Sequence, residues 1–247
     1  MPEESSKLLG LIWPDDGSDF RNYELLERQD DASWLRSPEL KLQVAFSRAE
    51  LLHSPEDLRL TGDPSRLLPP ARQLAKAGCD ALIWACTSAS FIGGLAWARE
   101  QTEILATAVG RPVSSTTLAF MDALRYMNID EVDLLSPYPL EVTNAFRQCL
   151  ENCNVAVARG SALGAIDASA SHRLELFHEI RAFVAQQSRP KPILLPDTAI
   201  NTLDKLEQLE AVADQPILTA NQVIIWQGLR ILGCQTRGLG PGLLFAS

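Results

Sequence analysis

Apolar residues fall along the chain in short unalternated runs, separated by longer stretches in which they recur at helical spacing. The runs Leu8–Trp13, Leu40–Phe46, Ala81–Ala85, Pro112–Ser115, Glu131–Leu135, Val155–Arg159, Ile193–Leu195 and Ile217–Thr219 have the length and character of strands. Between them, Leu67–Ala77, Ser90–Ala108, Thr117–Met127, Leu140–Cys153, His172–Gln187, Leu203–Val212 and Asn221–Leu232 read as helices. Gly78 and Gly110-Arg111-Pro112 supply stop signals. Pro55–Pro64 reads as a turn-rich connection, Asn22–Arg36 as a polar stretch, and the glycine-rich tail from Gly233 as loose. Strands without polar alternation are buried on both faces, and strands that alternate with helices pair in parallel. The pattern predicts an α/β protein.

It also repeats. RPVSSTTLAFMDALRYMNI, from Arg111, and QPILTANQVIIWQGLRILG, from Gln215, share a proline, a short strand and a helix ending in Leu-Arg. The strand ending at Pro14 pairs in the same scheme with the one ending at Pro137, and the corner at Cys86 with the corner at Asp197. A period of roughly 105 residues is too long for a solenoid and suits two duplicated α/β halves. The expected division is residues 1–115 plus 216–247 for one half and 116–215 for the other. Two such halves facing each other bring four strand ends around one cleft, where ligands of open α/β sheets bind.

Composition narrows the partners. The chain has 247 residues and a formal charge of −9 without a Lys/Arg cluster, which argues against nucleic acid and anionic membrane surfaces. No apolar run is long enough to span a bilayer, and the opening MPEESSK lacks the apolar core of a secretory signal. Five cysteines without framework spacing suit a reducing compartment, so a cytoplasmic location is expected. Cys149 and Cys153 lack clustered histidines, and helix packing explains them better than zinc. No G-x-G-x-x-G follows the first strand, so a classical dinucleotide enzyme is not expected. Apolar Leu243–Phe245 in the tail offers a contact for a homo-oligomer.

The chemistry concentrates at strand ends. In DALIWACTSASFIGG, from Asp80, a buried strand delivers a thiol and two hydroxyls, Cys86-Thr87-Ser88, to a strand-to-helix corner. Free amides and the positive end of a helix there suit a carboxylate and would lower the Cys86 pKa towards the reactive thiolate. A lone cysteine at such a corner also fits simple packing. Three other corners join it: Pro14-Asp15, Tyr138 with Asn144 downstream, and Asp197-Thr198-Ala199. Asp197 is either a general acid or base, a partner for a cationic group, or the cap of a following helix. Asp15 and Asp16 read as turn residues; facing the cleft, they would disfavour a dianion and favour a zwitterion or an amide. The histidines draw no role, since His53 falls in a loop and His172 and His178 on a surface helix.

Taken in order, GLIWP, GCDALIWACTSASFIGG, SPYPLEVTN, ILLPDTAINTLD and WQGLRILG resemble the aspartate/glutamate racemase superfamily, in the branch holding arylmalonate decarboxylase and maleate cis–trans isomerase. The resemblance implies two pseudo-symmetric Rossmann-like domains with parallel sheets and an active site between them. It implies a cofactor-independent enzyme acting on a small carboxylate or amino-acid-like substrate. Cys86 stands where such enzymes carry their first cysteine, and Asp197 where the second would fall. The expected activity is isomerisation, with the Cys86 thiolate as nucleophile and Asp197 as the second catalytic group. Thr87, Ser88, Tyr138, Thr198 and Ala199 would cradle the substrate carboxylates, with Pro14, Asp15 and Asn144 lining the site. The alternatives are a racemase or decarboxylase using Cys86 and Asp197 as an acid–base pair, or a non-catalytic binding relative.

Overall fold

The computed structural model describes residues 6–18, 23 and 40–246. The polar stretch expected at Asn22–Arg36 therefore lies, Tyr23 apart, outside the described residues. Among the described residues, eight strands form two four-stranded sheets, each wholly parallel. The first contains β1 (Lys7–Asp15), β2 (Leu40–Arg48), β3 (Ala81–Trp84) and β4 (Val113–Ser115), in the order β2-β1-β3-β4. The second contains β5 (Glu131–Ser136), β6 (Ala156–Ala162), β7 (Ile193–Leu195) and β8 (Ile217–Thr219), in the order β6-β5-β7-β8. Each strand of one sheet thus has a counterpart at the same place in the other.

The helices account for the remaining burial. They are α1 (Pro55–Thr61), α2 (Pro64–Lys76), α3 (Thr87–Phe91), α4 (Gly94–Val109), α5 (Thr116–Tyr126), α6 (Leu140–Glu151), α7 (Ala168–His172), α8 (Leu176–Val184), α9 (Leu206–Ala213), α10 (Ala220–Ile231) and α11 (Leu243–Ala246). The internal repeat is visible in atomic detail. Ser115 ends β4 and its hydroxyl accepts from the Leu118 amide to start α5; Thr219 ends β8 and accepts from the Gln222 amide to start α10. β8 pairs at the edge of the second sheet, while α10 packs on α5 and on β3 of the first sheet. Gly228 on α10 is pressed against Leu9, where an added Cβ would lie 2.3 Å from Leu9 Cδ2.

Four expected elements differ. Pro55–Pro64 is not a turn but the helix α1 and the start of α2, because prolines in the first helical turn preset φ where no amide partner is needed. Ser54 and Asp63 cap these helices. The helix expected over Ser90–Ala108 breaks at Gly93-Gly94, where Gly94 takes φ +86°, leaving the short α3. Of the helix expected over His172–Gln187, only Leu176–Val184 is helical as α8, while His172 closes the separate α7. The tail folds back as α11, burying Leu244 and Phe245 in this chain itself; Leu243 alone stays exposed, so the expected oligomer contact loses its apolar anchor. All five cysteines are free, and no His/Cys/Asp/Glu group able to hold a metal occurs among the described residues. Nor, among them, is any helix long and apolar enough to cross a membrane.

Candidate active site

The parallel arrangement dictates where side chains gather. β1 and β3 are neighbours, with Ile12 opposite Trp84 and the Ala85 amide donating to the Ile12 carbonyl at 2.9 Å. The residues that follow, Asp16 and Cys86, therefore leave the first sheet at the same edge. β5 and β7 do the same in the second sheet and release Tyr138 and Asp197. The electrostatic influence of Asp16 and Asp197 reaches Cys86, and that of Asp197 and Cys86 reaches Tyr138. The four corners meet around the thiol.

Cys86 is 5% exposed and heads α3, with its Sγ 4.0 Å from the Ser88 hydroxyl. The surroundings act against the lowering expected of the helix end. Burial pushes the thiol up to about 12, with the Asp16 and Asp197 carboxylates adding to the rise. The Ala89 amide and the Ser88 hydroxyl act the other way and do not prevail. A helix of one turn offers too little dipole to offset desolvation and two nearby carboxylates. The corner is held from behind: Gln101 Nε2 on α4 donates to the Gly62 carbonyl at 2.6 Å and the Ala89 carbonyl at 3.2 Å, and Trp97 Nε1 also reaches Ala89 at 3.2 Å. Ser90 Oγ donates to the Thr87 carbonyl at 2.8 Å, and the Thr117 hydroxyl lies 2.6 Å from Ser90 Oγ.

Asp197 is 6% exposed and has φ +106°, a conformation that side chains rarely adopt and that is sustained only where the surroundings impose it. No helix begins at Thr198, so the capping role falls away; Oδ1 instead accepts from the Ala199 amide at 3.0 Å across a tight turn. Oδ2 is buried without a hydrogen-bond partner. Burial raises the carboxyl above its ordinary value, against the opposing pull of His53, the Ser171 hydroxyl and the Ala199 amide. Thr198 and Ala199 are buried beside it. A chain of bonds supports this loop from the far side: Tyr23 donates to Asn221 Oδ1 at 2.8 Å, and Asn221 Nδ2 donates to the Ile200 carbonyl at 2.7 Å.

Tyr138 is fully buried, and its hydroxyl and that of Thr87 lack hydrogen-bond partners. Burial first, then Asp197 and Cys86, lift the phenol well above its ordinary value, so it remains a donor. Pro14 is buried at the end of β1. Two expected residues do not join the site. Asp15 is exposed, because it falls on the outward side of the strand end; its neighbour Asp16 turns inward, where Oδ1 accepts from the Ser18 amide at 2.9 Å and burial raises its carboxyl. Asn144 is exposed on α6, and the preceding Thr143 points inward, bonding to Ser136 Oγ at 2.8 Å and the Tyr138 carbonyl at 3.2 Å.

Sequence reasoning also passed over His53. It is 8% exposed and lies edge-on to the Tyr138 ring with centroids 5.0 Å apart. Its Nδ1 is 2.9 Å from the Ala165 carbonyl, and its charge acts on both Asp16 and Asp197. Its isolation in a loop carried no signal.

The arrangement is a buried thiol and a buried carboxylate surrounded by hydroxyl donors, a set suited to moving protons on a small acid. Comparison with known proteins agrees with the fold. Residues 65–245 match the family model described as arylmalonate decarboxylase. The chain is 26% identical over 180 residues to arylmalonate decarboxylase of Bordetella bronchiseptica, covering 71% of this chain and 75% of that protein. Among solved structures, maleate isomerase from Pseudomonas putida, in a mutant with maleate, superposes with a TM-score of 0.85 at 21% identity, covering 98% of each chain. A liganded arylmalonate decarboxylase mutant, with one glycine changed to cysteine and one cysteine to serine, gives a TM-score of 0.82 at 23% identity over 98% of this chain and 99% of that one. A Nocardia farcinica maleate cis–trans isomerase mutant with a covalently bound succinylcysteine intermediate gives 0.81 at 20% identity, with 98% of each chain covered. These relatives are enzymes that share one two-domain fold, and by the family match over most of its length this chain belongs to the arylmalonate decarboxylase family.

Proposed function

We propose that the protein is a cofactor-independent enzyme that moves a proton at the carbon beside a carboxylate, through an enolate-like intermediate. Cys86 is the acid and Asp197 the base. The observation that carries this reading is the enclosure of the thiol: Cys86 is 5% exposed, and burial with the Asp16 and Asp197 carboxylates disfavours its ionisation, which suits a proton donor at neutral pH. Asp197 Oδ2, buried and without a partner, is free to take a proton.

In the forward step Oδ2 removes the α proton, and the C–H electron pair moves into the substrate carboxylate. The extra charge on that carboxylate is met by the Thr87, Ser88 and Tyr138 hydroxyls and the amides of the Thr198-Ala199 turn. Cys86 then delivers its proton to the carbon from the opposite side, and solvent restores the two groups. The outcome is inversion at that carbon. A substrate that loses carbon dioxide instead of a proton reaches the same intermediate and needs only the thiol.

A second reading is cis–trans isomerisation. It draws support from the placement of Asp197 near Cys86, which allows the carboxylate to take the thiol proton as sulfur adds to a double bond; rotation and elimination then return the thiol. Proton NMR in D₂O on maleate, aspartate, glutamate, arylmalonates and hydantoins separates these outcomes. Deuterium entering an α carbon, lost in Cys86→Ala, is the expected result. Conversion of maleate to fumarate without α deuteration would overturn it in favour of the second reading.

A further inference from the structure

Tyr138 belongs to the second half, just past the end of β5, yet two rings of the first half stand against it. The His53 ring, from the segment between β2 and α1, lies at 88° to the phenol with centroids 5.0 Å apart. The Phe91 ring, at the end of α3, meets it at 64° with centroids 5.9 Å apart. The Tyr138 backbone is fixed from its own half, where its carbonyl accepts from the Gly164 amide and the Thr143 hydroxyl, each at 3.2 Å. The hydroxyl is buried and has no hydrogen-bond partner, so no bond of its own aims the ring. Packing against neighbouring rings has to do so, and such contacts are directional.

His53 is suited to that task because it is itself seated on the second half. Its amide donates to the Ile166 carbonyl at 2.7 Å, and the preceding Leu52 forms an antiparallel bridge with Asp167. Its Nδ1 lies 2.9 Å from the Ala165 carbonyl; a carbonyl only accepts, so the imidazole donates from Nδ1. Ala165 leads back to the same corner, its amide donating to the Pro137 carbonyl at 2.7 Å. Backbone and ring of His53 are thus both tied to the chain that carries Tyr138. We infer that His53 is a positioning residue for Tyr138: its ring, seated on the Ala165 carbonyl and standing across the phenol, fixes where the Tyr138 hydroxyl is presented to the substrate, with Phe91 as a second wall. This rests on the reading above that the Tyr138 hydroxyl meets charge on the substrate carboxylate. His53 acts here only through the ring it holds.

The first readout needs no substrate. Carbon-13 labelling of the three tyrosines gives ring signals by NMR, and Tyr138→Phe identifies those of Tyr138. A held ring flips slowly, so its two sides are expected to give separate signals in the native protein. His53→Gln keeps a donor for the Ala165 carbonyl but removes the ring, and is expected to merge them into one averaged set. His53→Phe keeps a ring without the donor and is expected to hold them apart. The second readout is exchange at the substrate α carbon in D₂O. In His53→Gln, kcat should fall by roughly tenfold to a hundredfold, less than removal of a donor outright, while KM stays close to its native value. His53→Phe should restore most of that loss, and it carries the test alone if His53→Gln does not fold. A Tyr138 ring that already averages in the native protein, or flips no faster in His53→Gln, would overturn the inference. So would an averaged ring in His53→Phe, or a freed ring with kcat unchanged. No exchange on any compound by the native protein would count against the proposed chemistry, and the ring signals would still decide whether His53 positions Tyr138.

Discussion

At the scale of single residues, the site is defined by groups held away from their ordinary protonation. Asp197 shows the cost. Its raised carboxyl means the folded state holds a proton more tightly than the unfolded chain does, so its destabilising effect is absent below 3.8 and complete once pH exceeds the folded value. Asp197→Asn, which preserves the acceptor for the Ala199 amide and tolerates the positive φ, is therefore expected to raise the melting temperature at neutral pH and to have no such effect in strong acid. Activity should fall sharply in the same variant. A uniform shift at every pH would mean that the folded carboxyl titrates as the unfolded one does and is not raised. The residue scale is also where the sequence was least informative. Asp15 and Asp16 are chemically identical neighbours, and only the exit of β1 decides that Asp16 faces the thiol. Likewise Thr143, not Asn144, faces inward because α6 sets the phase.

At the scale of elements, α3 is a single turn whose position comes from its neighbours. Gln101 ties α3 to the end of α1 by bonding the Gly62 and Ala89 carbonyls, and at Gly62 an added Cβ would lie 2.4 Å from the Ala89 oxygen. Gln101→Leu leaves both buried carbonyls without that donor and is expected to cost about 1–3 kcal/mol in denaturant unfolding. Its effect on turnover should exceed its effect on stability, because the Cys86 corner loses its rear support. Strands and the later helices were legible from apolar runs and periodicity. The breaks at Gly93-Gly94 and between α7 and α8 were not, since apolar spacing continues through both. Proline misled at α1, where it opens a helix instead of interrupting one.

At the scale of the whole molecule, two sheets of matching strand order are joined by α10, which starts from β8 of one and packs on β3 of the other. The close approach of Gly228 to Leu9 makes this join intolerant of bulk. Gly228→Ala is expected to cost about 1–3 kcal/mol, read as a lowered thermal midpoint. The duplication was visible in the sequence because the two stretches share a proline, a short strand and a helix ending in Leu-Arg; the structure adds matching caps, Ser115 and Thr219. The clamp of His53 on Ala165 was invisible, because it joins segments more than a hundred residues apart in a loop without periodicity.

The central claim is that Cys86 is a neutral thiol, and its titration tests this directly. The ultraviolet absorbance of thiolate, taken as the difference between the protein and Cys86→Ser across pH, reports this one sulfur. The expected difference is absent at neutral pH and grows only as pH approaches about 12, with Asp16→Asn bringing the rise to lower pH. A thiolate signal already present at neutral pH would contradict the acid role and return Cys86 to that of a nucleophile.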